Sequence, residues 1–327
     1  GGNIILADQT ASVYTGGRAT VYDNQDMVTS PTGTLDNVTL GTGSLAGQTL
    51  ANIITGDYPI AGGNLDIQAA GDIVGAVSNQ FIRSTFGGES WLGVQGRPFD
   101  SVNKNNNLLT TWAVNASLFQ QNIGSFGGGG VTVSAQGNIN DLSVMMPTTG
   151  KQLGNDYATS ALDVQGGGQM SVVAGGNILG GAYFLGQGTG HISAGGQING
   201  SQSTDPNAFV SGPQLVMSGN LSNPLSGNTL LNLNANQGIK ISGVSDVMVL
   251  QNLNNGTQFF SYTDKSKLTL NALGGDIHLN SDTQVISTIL SIDENLSSVE
   301  KWLAHVYPAS LDTCLLYTSP SPRDAHE

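Results

Sequence analysis

Residues 170–198 read MSVVAGGNILGGAYFLGQGTGHISAGGQI and carry one nine-residue phrase twice, as MSVVAGGNI (170–178) and GHISAGGQI (190–198). Outward from this stretch the phrase returns as LDIQAAGDI (65–73), VTVSAQGNI (131–139) and LNLNANQGI (231–239), and with one extra residue as LTLNALGGDI (268–277). Every copy has Ala at its fifth place: Ala69, Ala135, Ala174, Ala194, Ala235 and Ala272. Two residues earlier stands an aliphatic: Ile67, Val133, Val172, Ile192, Leu233 and Leu270. Four residues after Ala comes Ile73, Ile139, Ile178, Ile198 or Ile239, and the extra residue displaces Ile277 by one. These offsets are even, the parity of one face of a β-strand, and they define the repeat's core. The places between hold mostly Asp, Thr, Ser, Asn or Gln, which suit solvent. Gly71, Gly137, Gly176, Gly196 and Gly274 follow Ala by two residues, where a tight corner predicts φ > 0. Each phrase therefore predicts a strand, a tight corner and a short second strand.

Spacing extends the reading from phrase to architecture. Successive Ala positions differ by 66, 39, 20, 41 and 37 residues, close to three, two, one, two and two units of about 20. A fixed period in this range signals a solenoid, and a propeller blade would need about 40–45 residues. With no helical segment in the unit, one turn of a parallel β-helix per unit is expected, each turn burying its inner face against its neighbours. With rungs about 4.8 Å apart, about 10–13 turns give roughly 50–60 Å of rod. The predicted class is thus all-β, with residues 1–313 as one repeat domain.

Two segments leave the frame. Residues 81–124 hold Phe81, Phe86, Trp91, Phe99, Trp112 and Phe119, an aromatic-rich insertion. Residues 293–306 predict a short helix: Asp293 caps it, Leu296, Val299, Trp302 and Val306 share a face, and Pro308 stops it. Residues 314–327 are set apart. The string CLLYTSPSPRD, from Cys314 to Asp324, resembles the translation of a sequencing-library adapter, so that the natural chain is expected to run on past residue 313 with a sequence other than this one. Cys314 is the one cysteine, so the natural part contains none. The start, GGNIILADQT, lacks Met and a basic n-region, and reads as the interior of a longer chain.

Composition narrows function. Of 327 residues 46 are Gly, about twice the usual share, which suits short strands and tight turns better than helices. The net charge is −13, and the ten Lys and Arg are scattered singly from Arg18 to Arg323. Without a basic stripe, neither nucleic acid nor an anionic membrane surface is an expected partner. No apolar run approaches the length that a bilayer-spanning helix needs, so no transmembrane helix is expected.

The sequence offers little chemistry. His191 and His278 lie far apart in polar or turn places of the phrase. GGNLDIQ and GGDIHLN carry Asp66 and Asp276 without the middle Gly of a calcium nonapeptide. PTTGKQLG (147–154) lacks the first Gly and the hydroxyl residue of a phosphate loop. No catalytic residue, metal or cofactor is expected. The enzymatic alternative is a β-helix polysaccharide lyase or hydrolase, for which Asp66, Asp72 and Asp163 are the stacking candidates. For binding, Trp91, Arg97 and Trp112 are the candidate ligand contacts, because interface hot spots are enriched in Trp and Arg. Asn103, Asn105, Asn106 and Asn107 stand nearby in sequence, a combination that also suits sugar rings. The competing reading makes these aromatics a satellite core under a long loop.

The phrases GGNLDIQAAGDI (62–73), VTVSAQGNINDLSVMMPTTGKQLG (131–154), LDVQGGGQMSVVAGGNILGG (162–181) and GTGHISAGGQING (188–200) resemble the filamentous-haemagglutinin-like exoproteins of Gram-negative bacteria, the two-partner-secreted adhesins. That resemblance covers about a third of the chain. It implies a right-handed β-helix, export through a dedicated outer-membrane transporter, a secreted or cell-surface location, and adhesion to a host-cell glycan or protein receptor. The family's N-terminal secretion motifs are not recognisable here. The alternative within this resemblance is the stalk of a contact-dependent toxin-delivery exoprotein.

Overall fold

The computed structural model describes residues 2–18, 25–26, 55–78, 91–95, 111–153, 161–218, 228–245, 250–251, 258–259 and 265–280. In these residues the chain is all-β with parallel sheets, apart from one 3-10 turn at Ala116–Leu118. The predicted helix at 293–306 and the 314–327 tail lie outside them.

Six phrase strands form one sheet: Leu65–Ala69, Gly130–Ala135, Gly168–Ala174, Gly188–Ala194, Thr229–Ala235 and Lys267–Ala272. Their spatial order is their chain order, and every pair is parallel. The short strands after each corner build a second parallel sheet, the corner sheet, through Ile4–Ile5, Ile73–Val74, Ile139–Asn140, Ile178–Leu179, Ile198–Asn199, Ile239–Ile241 and Ile277–Leu279. A third parallel sheet holds Val13–Thr15, Ile123–Ser125, Val144–Met146, Ala182–Leu185, Gln214–Met217 and Gly243–Ser245. The chain passes through phrase sheet, corner sheet and third sheet in that cyclic order. The shortest complete pass runs from Gly168 to its Cα partner Gly188.

The repeat frame is the register. Ala69, Ala135, Ala174, Ala194, Ala235 and Ala272 are successive Cα partners, as are the aliphatics two residues before them. In Gly130–Ala135, Val131, Val133 and Ala135 are buried while Thr132 is exposed, the expected alternation. One core collects these inward side chains with the corner isoleucines. At the last described pass Leu270 and Ala272 are partly buried and Ile277 is 44% exposed, and Ile67 on the first phrase strand is partly buried. These strands have a partner on one side only within their sheets, so their inward side chains are incompletely covered.

Three expectations need correction. First, the long spacings do not contain intervening units. Ala69 and Ala135, the most widely separated neighbours of the series, pair directly, so the interval between them is one pass plus an excursion. Part of that excursion and part of the next build an antiparallel sheet in the order Ala161–Gly166, Thr148–Leu153, Thr111–Val114, Leu92–Gln95. Second, the extra residue of the last phrase does not displace Ile277, which pairs with Ile239 while Ala272 pairs with Ala235. The corner absorbs it, leaving Leu273 78% exposed. Third, none of the corner glycines Gly71, Gly137, Gly176, Gly196 and Gly274 has positive φ. Space requires them instead. A Cβ on Gly137 would strike Asp72 Oδ1, and one on Gly176 would strike Asn138 Oδ1.

Those oxygens form a ladder along the corner. Asn3 Oδ1 accepts the N–H of Asp72 (2.9 Å), and Asp72 Oδ1 that of Asn138 (2.7 Å). Asn138 Oδ1 accepts the N–H of Asn177 (2.8 Å), and Asn177 Oδ1 that of Gln197 (2.9 Å). Beside it runs a backbone ladder in which the N–H groups of Gly71, Gly137, Gly176, Gly196 and Gln237 bond the carbonyls of Gly2, Gly71, Gly137, Gly176 and Gly196. Two hydrogen-bonded columns thus join the first five corners, and the backbone column continues to the sixth.

Replacing Asn138 by Ala leaves the Asn177 N–H without its acceptor, and a donor orphaned in a partly buried place costs about 1–3 kcal/mol. Chemical denaturation of Asn138→Ala should show that loss, against a change within about 0.5 kcal/mol for Thr132→Ala on the exposed face. Equal stabilities for the two variants would remove the ladder's role.

Candidate ligand surface

The third sheet is apolar on both faces. From Val144–Met146, Ala182–Leu185 and Gln214–Met217, the side chains of Val144, Met146, Tyr183, Leu185, Leu215 and Met217 join the main core. Met145, Ala182, Phe184 and Val216 alternate with them and point the other way, into a second core. The excursions cover that outer face with Tyr58, Trp91, Leu92, Trp112, Ala113, Val114, Phe119 and Phe126. Trp91 meets Phe119 edge-on at 5.3 Å, and Phe119 meets Phe126 at 5.1 Å in the same geometry, the offset that ring quadrupoles favour. Both indole N–H groups are satisfied: Trp91 Nε1 donates to Gln121 Oε1 (2.7 Å) and Trp112 Nε1 to Thr148 Oγ1 (3.2 Å). Trp112 lies flat over Gly150, its Cα partner on Thr148–Leu153, where a Cβ would strike the ring.

Of the candidate ligand contacts, Trp91 and Trp112 are both 0% exposed and meet protein on every side. That placement matches the satellite-core alternative. Arg97 and Asn103, Asn105, Asn106 and Asn107 lie outside the described residues. An aromatic that the sequence does not single out reaches the surface here. Tyr14, 42% exposed, stacks edge-on against Phe119 at 5.7 Å and tilted against Phe126 at 5.5 Å. Val13 beside it is also 42% exposed. Nothing marks Tyr14 in the sequence, because it lies in the first described pass ahead of any complete phrase.

The outer face of the phrase sheet is polar and regular. One in-register row runs Asp66, Thr132, Ser171, His191, Asn232, Thr269; the next runs Gln68, Ser134, Val173, Ser193, Asn234, Asn271. Asn234 Nδ2 lies 3.3 Å from His191 Nδ1, and Asn271 Nδ2 donates to Asn234 Oδ1 at 2.8 Å. The three carboxylates of the enzymatic alternative fall on different elements. Asp66 is on this face beside Thr132 and accepts from Gln68; Asp72 belongs to the corner ladder; Asp163 lies in the antiparallel excursion and accepts from Gln165. His278 and Asp276 approach to 3.9 Å on an exposed corner. Among the described residues, no group of three or more His, Cys, Asp or Glu is disposed to hold a metal ion, and no helix is long and apolar enough to cross a membrane.

One partly buried carboxylate has a raised pKa. Asp141 follows Ile139–Asn140 at a corner with φ +51°. Burial raises its pKa, Asp205's charge adds to the rise, and a hydrogen bond from Ser201 opposes it. The fully buried Tyr183 phenol is likewise pushed up, by burial and by the Asp141 charge. No protein-family model, curated protein or solved structure matches the chain.

Two outcomes follow from these placements. Truncating Trp91 or Trp112 to Ala should lower unfolding free energy by about 3–5 kcal/mol, the range for a large buried aromatic. A loss below about 1 kcal/mol in urea melts would mean that the second core is not packed as described. For Asp141, a folded-state pKa above the unfolded one makes the native state the better proton binder between the two values. Stability therefore falls as pH rises through that window, and the deficit persists above it. Asp141→Asn, which tolerates the left-handed φ, should melt higher than the parent at pH 7. The gap should close as the pH approaches the ordinary aspartate range, and a lower melting temperature at pH 7 would contradict the assignment.

Proposed function

We propose that the chain is a right-handed parallel β-helix with one rung per repeat unit, serving as a structural and adhesive module of a large secreted or surface-exposed bacterial exoprotein of the filamentous-haemagglutinin type. The observation that carries the architecture is the direct, in-register parallel pairing of all six phrases despite their unequal spacing along the chain. Handedness follows from the rule that parallel strands joined within one sheet connect by right-handed crossovers in nearly all cases. Adhesion is supported by the division between frame and excursion. The frame repeats a face of small polar side chains with little binding energy per residue. The excursions cover the third sheet's outer face and leave Tyr14 and Val13 at the rim of an aromatic cluster. Aromatic side chains that are anchored on one side and open on the other supply contact area at low entropic cost.

The test is direct binding. Beads coated with the chain should retain more than albumin-coated beads on cultured epithelial cells or on a glycan array. Tyr14→Ala should cut that binding at least about threefold while its denaturation curve stays parallel to the parent's. No binding to any cell or glycan would instead place the module with passive toxin stalks. Binding unchanged in Tyr14→Ala would move the contact elsewhere.

A further inference from the structure

Asn199-Gly200, at the end of the corner strand Ile198–Asn199, is the one Asn-Gly pair among the described residues. In such a pair the glycine nitrogen can close on the side-chain carbonyl carbon of the asparagine, because no Cβ hinders its approach. A β-ladder ordinarily forbids this by pinning that N–H to a neighbouring strand. Four passes of the corner column show the protection. The N–H groups of Leu6, Gly75, Asp141 and Gly180, each two residues after the corner isoleucine, donate to the carbonyls of Val74, Asn140, Leu179 and Asn199.

At Gly200 the column breaks. Pairing of its strand with the next pass ends at Ile198 and Ile239. The counterpart acceptor, the Lys240 carbonyl, lies instead against Gly212 of the following excursion, where a Cβ would strike it. The Gly200 N–H turns to its own neighbour and donates to Asn199 Oδ1 at 2.7 Å. With a C=O bond of about 1.23 Å, Asn199 Cγ stands roughly 3–4 Å from the Gly200 nitrogen, close to near-attack range. Gln197 holds the amide in that orientation, its Oε1 accepting from Asn199 Nδ2 at 3.1 Å. Asn199 is partly exposed, so water and hydroxide reach it. The ladder asparagines lack this arrangement. Asn138 and Asn177 each precede a β-branched isoleucine whose N–H is bonded to another pass, Ile139 to the Asn177 carbonyl and Ile178 to the Gln197 carbonyl.

We propose that Asn199 is a self-modifying site, converted to aspartate and isoaspartate through a succinimide that the fold sets up. The Gly200 nitrogen gives its proton to hydroxide and forms a bond to Asn199 Cγ. The Cγ–Nδ2 bond breaks, and the amide nitrogen leaves as ammonia after taking a proton from water. Water then adds to either carbonyl of the ring and opens one C–N bond. One water is consumed and one ammonia released, with no change of oxidation state. Gln197, which touches only the amide, is the positioning residue. The isoaspartate product routes the chain through Cβ and lengthens the backbone by one carbon where corner meets excursion.

The folded full chain, the same chain unfolded in guanidinium chloride, and the variants Gln197→Ala and Gln197→Glu are incubated in one mildly alkaline buffer. Peptide mapping by mass spectrometry follows deamidation and isoaspartate at each asparagine. Folded Asn199 should convert at no less than about one third of its unfolded rate, and at least about tenfold faster than folded Asn138 or Asn177. Gln197→Ala should slow folded Asn199 at least about threefold and leave the unfolded rate unchanged, whereas Gln197→Glu, which keeps an acceptor, should retain the parent's folded rate. A folded rate below that third would overturn the proposal. So would equal folded rates in the parent and Gln197→Ala, or conversion of Asn177 as fast as that of Asn199.

Discussion

Every other feature of this chain depends on one constraint: each pass must return its phrase strand to the same register beside the previous one. Side chains alternate with a period of two, so a slip of one residue would turn Val131, Val133 and Ala135 outward and put Thr132 and Ser134 in the core. Hydrophobic patterning alone penalises such a slip. The corner adds a second lock, because the Asn3, Asp72, Asn138 and Asn177 side chains each bond the backbone of the next pass and only glycine leaves room for them. Register is thus fixed at both the strand and the turn. Excursions of any length then become tolerable, since loop closure costs grow only slowly with length. The short pass from Ala174 to Ala194 and the long one from Ala69 to Ala135 close on the same frame.

The same logic explains what the sequence makes legible. Phrase strands are half-exposed, so their alternation is written in the residues, and Ile67 through Ala272 pair as that alternation requires. In the third sheet Val144–Met146 and Ala182–Leu185 are buried on both faces, so they read as apolar runs with no period. Spacing arithmetic overcounts the units, because a hairpin lengthens an interval as much as another strand and corner would. The first pass is hidden because Gly2, Asn3 and Ile4 carry only the corner of the phrase, yet Asn3 and Ile4 take the ladder and strand places. Trp91 and Trp112 stand out as aromatics in an insertion. Only their packing against Met145, Phe184 and Val216 determines that they face inward.

A division of labour follows. The frame supplies rigidity and a neutral polar surface, with His191 and Asn234 as its most distinctive pair. The excursions supply a second core over the third sheet's outer face, at whose rim Tyr14, on the first strand of that sheet, stays partly open.

The direct-neighbour arrangement of the phrases is the claim on which all of this stands, and a single distance tests it. Gln68 and Asn271 are outward members of one in-register row, five strand spacings apart. With Cys314 replaced by Ser and nitroxide labels on cysteines at those two positions, double electron–electron resonance should give a distribution centred near about 24 Å, at about 4.8 Å per spacing. If further strands lay between the phrases, as an unbroken repeat through every long interval would require, the distance would centre near about 48 Å and contradict the account.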